Sequence, residues 1–174
     1  GVRFYVAANS HASLGTRLVL ARDPVAVVRS GVAMSLRYDP LASKQIRTLT
    51  TSLAADLARD GNILVRMALV RQAALPPETW TILAQDEDRV IRQLVAGHPD
   101  APTETLTVLA GDTELRVRST ALSHRHADTD LLARMAQSGG PPERLALCAN
   151  PNTPVGSLDA LAMDTNPLVR RGAA

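Results

Sequence analysis

The chain has 174 residues, a net charge of +2 and 45% hydrophobic residues, enough for a core, yet only 2% aromatics, so Leu, Val and Ala must fill the interior. Its one cysteine excludes a disulfide framework and any four-cysteine zinc or iron–sulfur site. With no apolar run of about 18 residues and no visible signal peptide, a cytoplasmic protein without a membrane span is expected.

A valine–arginine step recurs along the chain: Val2-Arg3, Val28-Arg29, Val65-Arg66, Ile91-Arg92, Val117-Arg118, Glu143-Arg144 and Val169-Arg170. The arginines are 26, 37, 26, 26, 26 and 26 residues apart, so one interval carries 11 extra residues. A fixed period in the range of about 20–50 residues marks a repeat array whose units bury their apolar faces against each other.

The chain enters on a helical piece, Val2-Arg3 with Val6, that ends at Asn9. Ser13 opens a second piece that carries Leu20-Ala21 and leads to Asp23. This pair of pieces then repeats. The Leu-Ala column continues as Leu57-Ala58, Leu83-Ala84, Leu109-Ala110, Met135-Ala136 and Leu161-Ala162. Its starts are Pro76, Pro102, Asp128 and Pro154, residues of a first turn or an N-cap. Trp80, Leu106, Leu132 and Leu158 stand three residues before the Leu, completing an apolar stripe. An acid stands six residues before each arginine, at Asp23, Asp60, Asp86, Asp112 and Asp164, with Ser138 the exception. The Val-Arg piece continues through Val32, Leu69, Val95, Ala121 or Leu147 to a polar column of Asn9, Ser35, Gln72, His98, His124 and Asn150. Each repeat is expected to be two helices of about 8–10 residues, one of them tightened toward a 3₁₀ form. No segment alternates with a period of two.

Two places break the period. Within residues 38–62 the insertion predicts a helix over Ser43–Arg59, about three turns longer than its counterparts. Its apolar face is Ile46, Leu49, Leu53 and Leu57, and it is expected to project from the array. At Ser138–Glu143 two glycines replace the Asp turn and two prolines enter the next helix. That reads as a loosened joint. Both ends stop in mid-repeat, so residues 1–174 read as a single array that is uncapped or part of a longer one.

The pattern Pro-x-x-x-Leu-x-x-Leu-Ala-x-Asp-x-x-x-x-Val-Arg-x-x-x-Ala, as in Pro102–Leu122 with Leu at the last place, resembles the leucine-rich repeat variant family. The resemblance covers nearly the whole chain. It implies an all-α, right-handed superhelix of alternating α and 3₁₀ helices, here about six repeats. Some members of that family carry an iron–sulfur cluster in a separate cysteine-rich segment. Cys148 is the only cysteine here, so that feature does not carry over. The Asp-to-Arg spacing is also similar to HEAT repeats, where the two columns form an internal ladder.

The ladder reading assigns Asp23, Arg29, Asp60, Arg66, Asp86, Arg92, Asp112, Arg118, Asp164 and Arg170 to inter-repeat pairs. A surface built for anions would not place an acid at a fixed offset from each arginine. Cys148 and Trp80 fall in core columns. The histidines of the polar column share it with asparagines, which points to turns rather than metal. No phosphate loop, zinc-helix motif or nucleophile elbow is present, so neither catalysis nor a cofactor nor a small-molecule substrate is expected. The expected function is a non-enzymatic scaffold for a protein partner, using the irregular elements: Lys44, Arg47, Thr51 and Asp56 on the long helix, and the Gly139–Pro142 joint.

The alternative is duplex nucleic acid on the basic amino-terminal half, through Arg37, Lys44, Arg47, Arg59 and Arg71. Residues 1–80 hold ten basic and five acidic side chains, against nine and twelve in 81–174. The scarcity of aromatics for base stacking stands against that alternative.

Overall fold

The computed structural model describes residues 1–72 and 74–174. These form thirteen α-helices and no strand, grouped into two compact units, Gly1–Asp100 and Ala101–Ala174. The first unit contains α1 (Val2–Ala7), α2 (Leu14–Leu20), α3 (Ala26–Ser35), α4 (Lys44–Ala58), α5 (Ile63–Val70), α6 (Pro77–Ala84) and α7 (Arg89–Ala96). The Val-Arg helices α1, α3, α5 and α7 pack side by side, and α2, α4 and α6 form a second layer against them. The second unit repeats the scheme. There α9 (Leu115–Ser123), α11 (Pro141–Cys148) and α13 (Pro167–Ala173) form one row, covered by α8 (Thr103–Leu109), α10 (Thr129–Ser138) and α12 (Val155–Ala162).

The apolar columns are the core. Val65, Ile91, Val32, Leu69 and Val95 are fully buried in the first unit, as are Ala121, Leu132, Leu147 and Val169 in the second. Each large aliphatic side chain hidden this way contributes about 1.5–3 kcal/mol. Trp80 lies in the same core, 3% exposed, its ring centroid 4.9 Å from that of His98. Small residues allow the rows to close. A Cβ on Gly31 would stand 3.0 Å from that of Ala7, so α1 and α3 meet there without room for a side chain.

Helix starts follow the sequence. The hydroxyls of Ser13 and Ser43 and the carboxylate of Asp128 accept from the amides of Thr16, Ile46 and Leu131. Pro76, Pro102 and Pro154 occupy the N-cap itself, where the ring holds φ between −57° and −65°. No separate 3₁₀ helix occurs among the described residues; bonds three residues back occur at helix starts and, in each repeat, at last turns. There the amides of Asp23, Asp60, Asp86, Asp112 and Asp164 bond carbonyls three residues back. Each of these carboxylates then accepts the amide two residues ahead, of Val25, Asn62, Asp88, Glu114 and Asn166 respectively. The aspartate column thus ends one helix and aims the next, which is why a 26-residue repeat needs so little loop.

The two irregular places differ from expectation. Helix α4 spans 15 residues against 7–8 in α2 and α6, which makes it about two turns longer, not three. Its buried face is Thr50, Leu53, Ala54, Leu57 and Ala58, while Ile46 and Leu49 stay open to solvent. The helix outruns its neighbours, so only its second half finds a surface to bury against.

The Ser138–Glu143 segment is a tight turn rather than a loose joint. Helix α10 runs on to Ser138, and only Gly139 and Gly140 separate it from α11. A Cβ on Gly139 would lie 2.6 Å from the Met135 carbonyl oxygen, so the turn closes only with glycine. Pro141 and Pro142 fill the first helical positions of α11, where an amide would lack a partner in any case.

Candidate interaction groove

The arginine column is spent inside the fold. In the first unit Arg3 meets Asp23 at 3.0 Å, Arg29 meets Asp60 at 2.6 Å and Arg66 meets Asp86 at 2.7 Å. Each arginine reaches the acid of the following repeat, and Arg29 and Arg66 also hold their own. Nη1 of Arg29 donates to the Asp23 carbonyl, and Nη1 of Arg66 to the Asp60 carbonyl. Arg92 donates in the same way to the carbonyls of Asp86 and Glu87. In the second unit Arg118 binds the Asp112 carbonyl, Arg144 pairs with Asp164 at 2.6 Å, and Arg170 binds the carbonyls of Asp164 and Thr165.

One rung uses a different acid. Arg118 pairs with Glu143 at 2.8 Å. Glu143 occupies the Val slot of its repeat, the same repeat that lacks the aspartate. Two anomalies of the sequence are therefore one substitution: the missing turn carboxylate is supplied from the next helix, and Glu143 is 7% exposed. Side-chain length is the physical reason, because a glutamate one turn along reaches where an aspartate in the turn would have stood.

Burial pushes the Asp60 carboxyl up, but the Arg29 hydrogen bond, the Asn62 amide and the charges of Arg29 and Arg66 outweigh it and hold it below its ordinary value. Asp164 is held low first by the hydrogen bond from Arg144 and then by the Asn166 amide.

The polar column closes turns. Asn9, His98, His124 and Asn150 each accept the amide two residues ahead through Oδ1 or Nδ1. No group of three or more His, Cys, Asp or Glu among the described residues could hold a metal. Cys148 is half-buried, its Sγ directed to the carbonyls of Arg144 and Val169, and burial raises its thiol.

The candidate partner residues separate into groups. Arg47 is tied to the carbonyls of Pro40 and Ala42, so it braces the loop ahead of α4. Lys44 and Asp56 are exposed on α4, and Thr51 is half-buried. Arg59 donates to the Ala55 carbonyl and lines a 290 Å³ hollow with Asp60, Arg66, Asp86 and Glu87. That hollow is lined by side chains already paired in the ladder. Arg71 stands at the far end of α5 from Arg59, about 12 Å along the helix. Arg59 and Arg71 thus stand near opposite ends of α5, and Arg47 is held by its own loop.

Arg37 and Arg71 instead border two adjoining cavities on the outer side of α3 and α5. The larger, 480 Å³, is lined by Met34, Leu36, Arg37, Tyr38, Asp39 and Gln72 among others. The smaller, 290 Å³, is lined by Ser30, Met34, Leu64, Met67, Ala68, Arg71 and Gln72. Met34 and Gln72 belong to both, so the two form one groove with an apolar floor. Met34 is 53% and Leu64 58% exposed, a high figure for such side chains on packed helices. The sequence reading missed this floor. Its signal is in the residues beside the core columns, where Met34 and Leu64 stand exposed and Met67 half-buried.

These features define a helical repeat protein, with all-α two-helix repeats, an internal arginine–acid ladder and apolar side chains left exposed on helices of both layers. The chain matches a solved structure described as a leucine-rich repeat variant with a novel repetitive protein structural motif, at 26% identity and a TM-score of 0.55. The match covers 94% of this chain and 72% of the other. Fold and repeat motif thus agree on the leucine-rich repeat variant class. No family model matches the chain. No curated protein matches it either. No helix among the described residues is long and apolar enough to cross a membrane.

Proposed function

We propose that the chain is a non-enzymatic repeat scaffold that binds a protein segment in the groove between α3 and α5. The observation that carries this reading is the floor of exposed Met34 and Leu64 and half-buried Met67, bordered by arginines outside the ladder. Methionine is unbranched and polarizable, and suits a surface that must adapt to a partner. A row of stacked helices holds such a floor rigid, which lowers the ordering cost of binding. The exposed start of α4, with Lys44 and Ile46, widens the same unit's accessible surface.

Duplex nucleic acid is disfavoured because Arg59 points to a different edge from Arg37 and Arg71, and because the groove floor is apolar. A photo-crosslinking amino acid at Leu64, with Ser157 as a control site on the second unit, tests the reading in extract of the source cells. Polypeptide adducts at Leu64, absent at Ser157, are expected. Nucleic-acid adducts at Leu64, or no adduct there, would overturn it.

A further inference from the structure

The groove reading above leaves open what kind of segment the groove takes, and the inference here rests on that reading. The first unit keeps several cations outside its ladder, and two of them border the groove. Neither Arg37 nor Arg71 is among the ion pairs, which use Arg3, Arg29 and Arg66 in this part of the chain. A third guanidinium, that of Arg17, acts on Arg37. Arg17 is only 8% exposed, and its Nη2 donates to the carbonyl of Ser10, a residue that lines the larger cavity. Its Nε is buried without a hydrogen-bond partner.

Burial, and then the charge of Arg37, push the Arg17 pKa down. Two like charges therefore act on each other at this cavity. One acid, Asp39, lines the cavity; its Oδ1 accepts the Leu41 amide at 2.8 Å, and it is in no ion pair with Arg17 or Arg37. A buried guanidinium without a direct ion pair is costly, and an incoming carboxylate relieves that cost.

The floor sets the other half of the ligand. Met34 on α3 and Leu64, Met67 and Ala68 on α5 form an apolar trough between two packed helices. Such a trough accepts the apolar stripe of a third helix, with anchors at i, i+3, i+4 and i+7. We infer that the α3–α5 groove binds an acidic amphipathic helix, whose apolar stripe covers Met34, Leu64 and Met67 and whose flanking carboxylates meet Arg37 and Arg71. Arg17 sets the positive field behind Arg37. A phosphate backbone has no apolar stripe to offer this floor, and the protein has few aromatics on which bases stack.

The test uses the whole chain and a labelled peptide of about 16 residues with Leu at the stripe positions and Glu elsewhere. Three probes accompany it: a twin with Lys for Glu, a twin with Ser for Leu, and a 20-base-pair duplex. The Leu/Glu peptide is expected to bind, and both twins at least about tenfold more weakly. Arg37→Gln with Arg71→Gln is expected to weaken the Leu/Glu peptide about tenfold and leave thermal unfolding unchanged, since both side chains are exposed. Met67→Lys is expected to abolish binding.

Equal binding of the Lys twin would overturn the charge assignment. Equal binding of the Ser twin or the duplex would mark a general polyanion surface and overturn the helix. Silence from all four probes would overturn the acidic-helix inference, while polypeptide adducts at Leu64 would still uphold the groove.

Discussion

Arg66 and Arg37 carry the same charge and meet opposite conditions. Arg66 is 7% exposed in its side chain, forked onto Asp86, and also bound to the Asp60 carbonyl. Arg37 is exposed and borders a cavity. Breaking a buried pair leaves an uncompensated charge, so Asp86→Asn is expected to cost about 3–5 kcal/mol in urea unfolding. Arg37→Ala is expected to stay within about 0.5 kcal/mol of the parent. The arginine period was legible in the sequence because pairing requires an acid at a fixed offset. Arg37 and Arg71 were legible as arginines outside that period, but not that they border a groove, because that depends on where helices end.

Two residues also set a pH dependence. Burial holds His98 below its ordinary pKa, with Asp100 opposing. Its protonation is therefore favoured in the unfolded chain. Its contribution to stability is complete above about pH 6.5 and is lost as pH falls through the lower folded value. Asp60 is held below the ordinary carboxylate range, so its contribution is lost at lower pH still, below about 3.9. Urea midpoints measured across pH are expected to fall in two stages. His98→Asn keeps the side-chain acceptor that Asn9 and Asn150 supply in the same column. It is expected to remove the upper stage and leave the lower.

At the scale of elements, the α10–α11 turn shows what pattern reading gets wrong. A lost aspartate, two glycines and two prolines look like disorder in a period. In three dimensions they form a shorter turn, with Glu143 supplying the carboxylate that Arg118 needs. Restoring the repeat's valine by Glu143→Val is expected to destabilise the chain by about 1–3 kcal/mol, because Arg118 loses its charged partner. Adding Ser138→Asp is not expected to rescue it. Ser138 is the last residue of α10, and its hydroxyl bonds the Arg134 carbonyl rather than opening a turn. Recovery of the parent's midpoint in the double variant would contradict this account. Helix α4 teaches the converse. Its apolar spacing was legible, but spacing does not say that Ile46 and Leu49 outrun the surface available to bury them.

At the scale of the molecule, the period gave the all-α repeat architecture because the same columns must meet in each repeat. The site was less legible. Core columns recur and announce themselves, whereas a binding surface lies in the positions between them, where no repeat constrains the residue. The groove is such a place, built from Met34, Leu64 and Met67 on the outer side of helices whose inner sides are regular.

The four methionines offer the most direct measurement. Met34 and Met67 line the groove, while Met135 and Met163 belong to the second unit, where Met163 is 85% exposed. With methionine methyl groups labelled, NMR spectra are recorded as the acidic amphipathic peptide is added at near-physiological salt. The account predicts that the Met34 and Met67 methyls shift together and saturably, while those of Met135 and Met163 stay in place. Saturable binding that moves Met163 or Met135 and leaves Met34 and Met67 unmoved would contradict it.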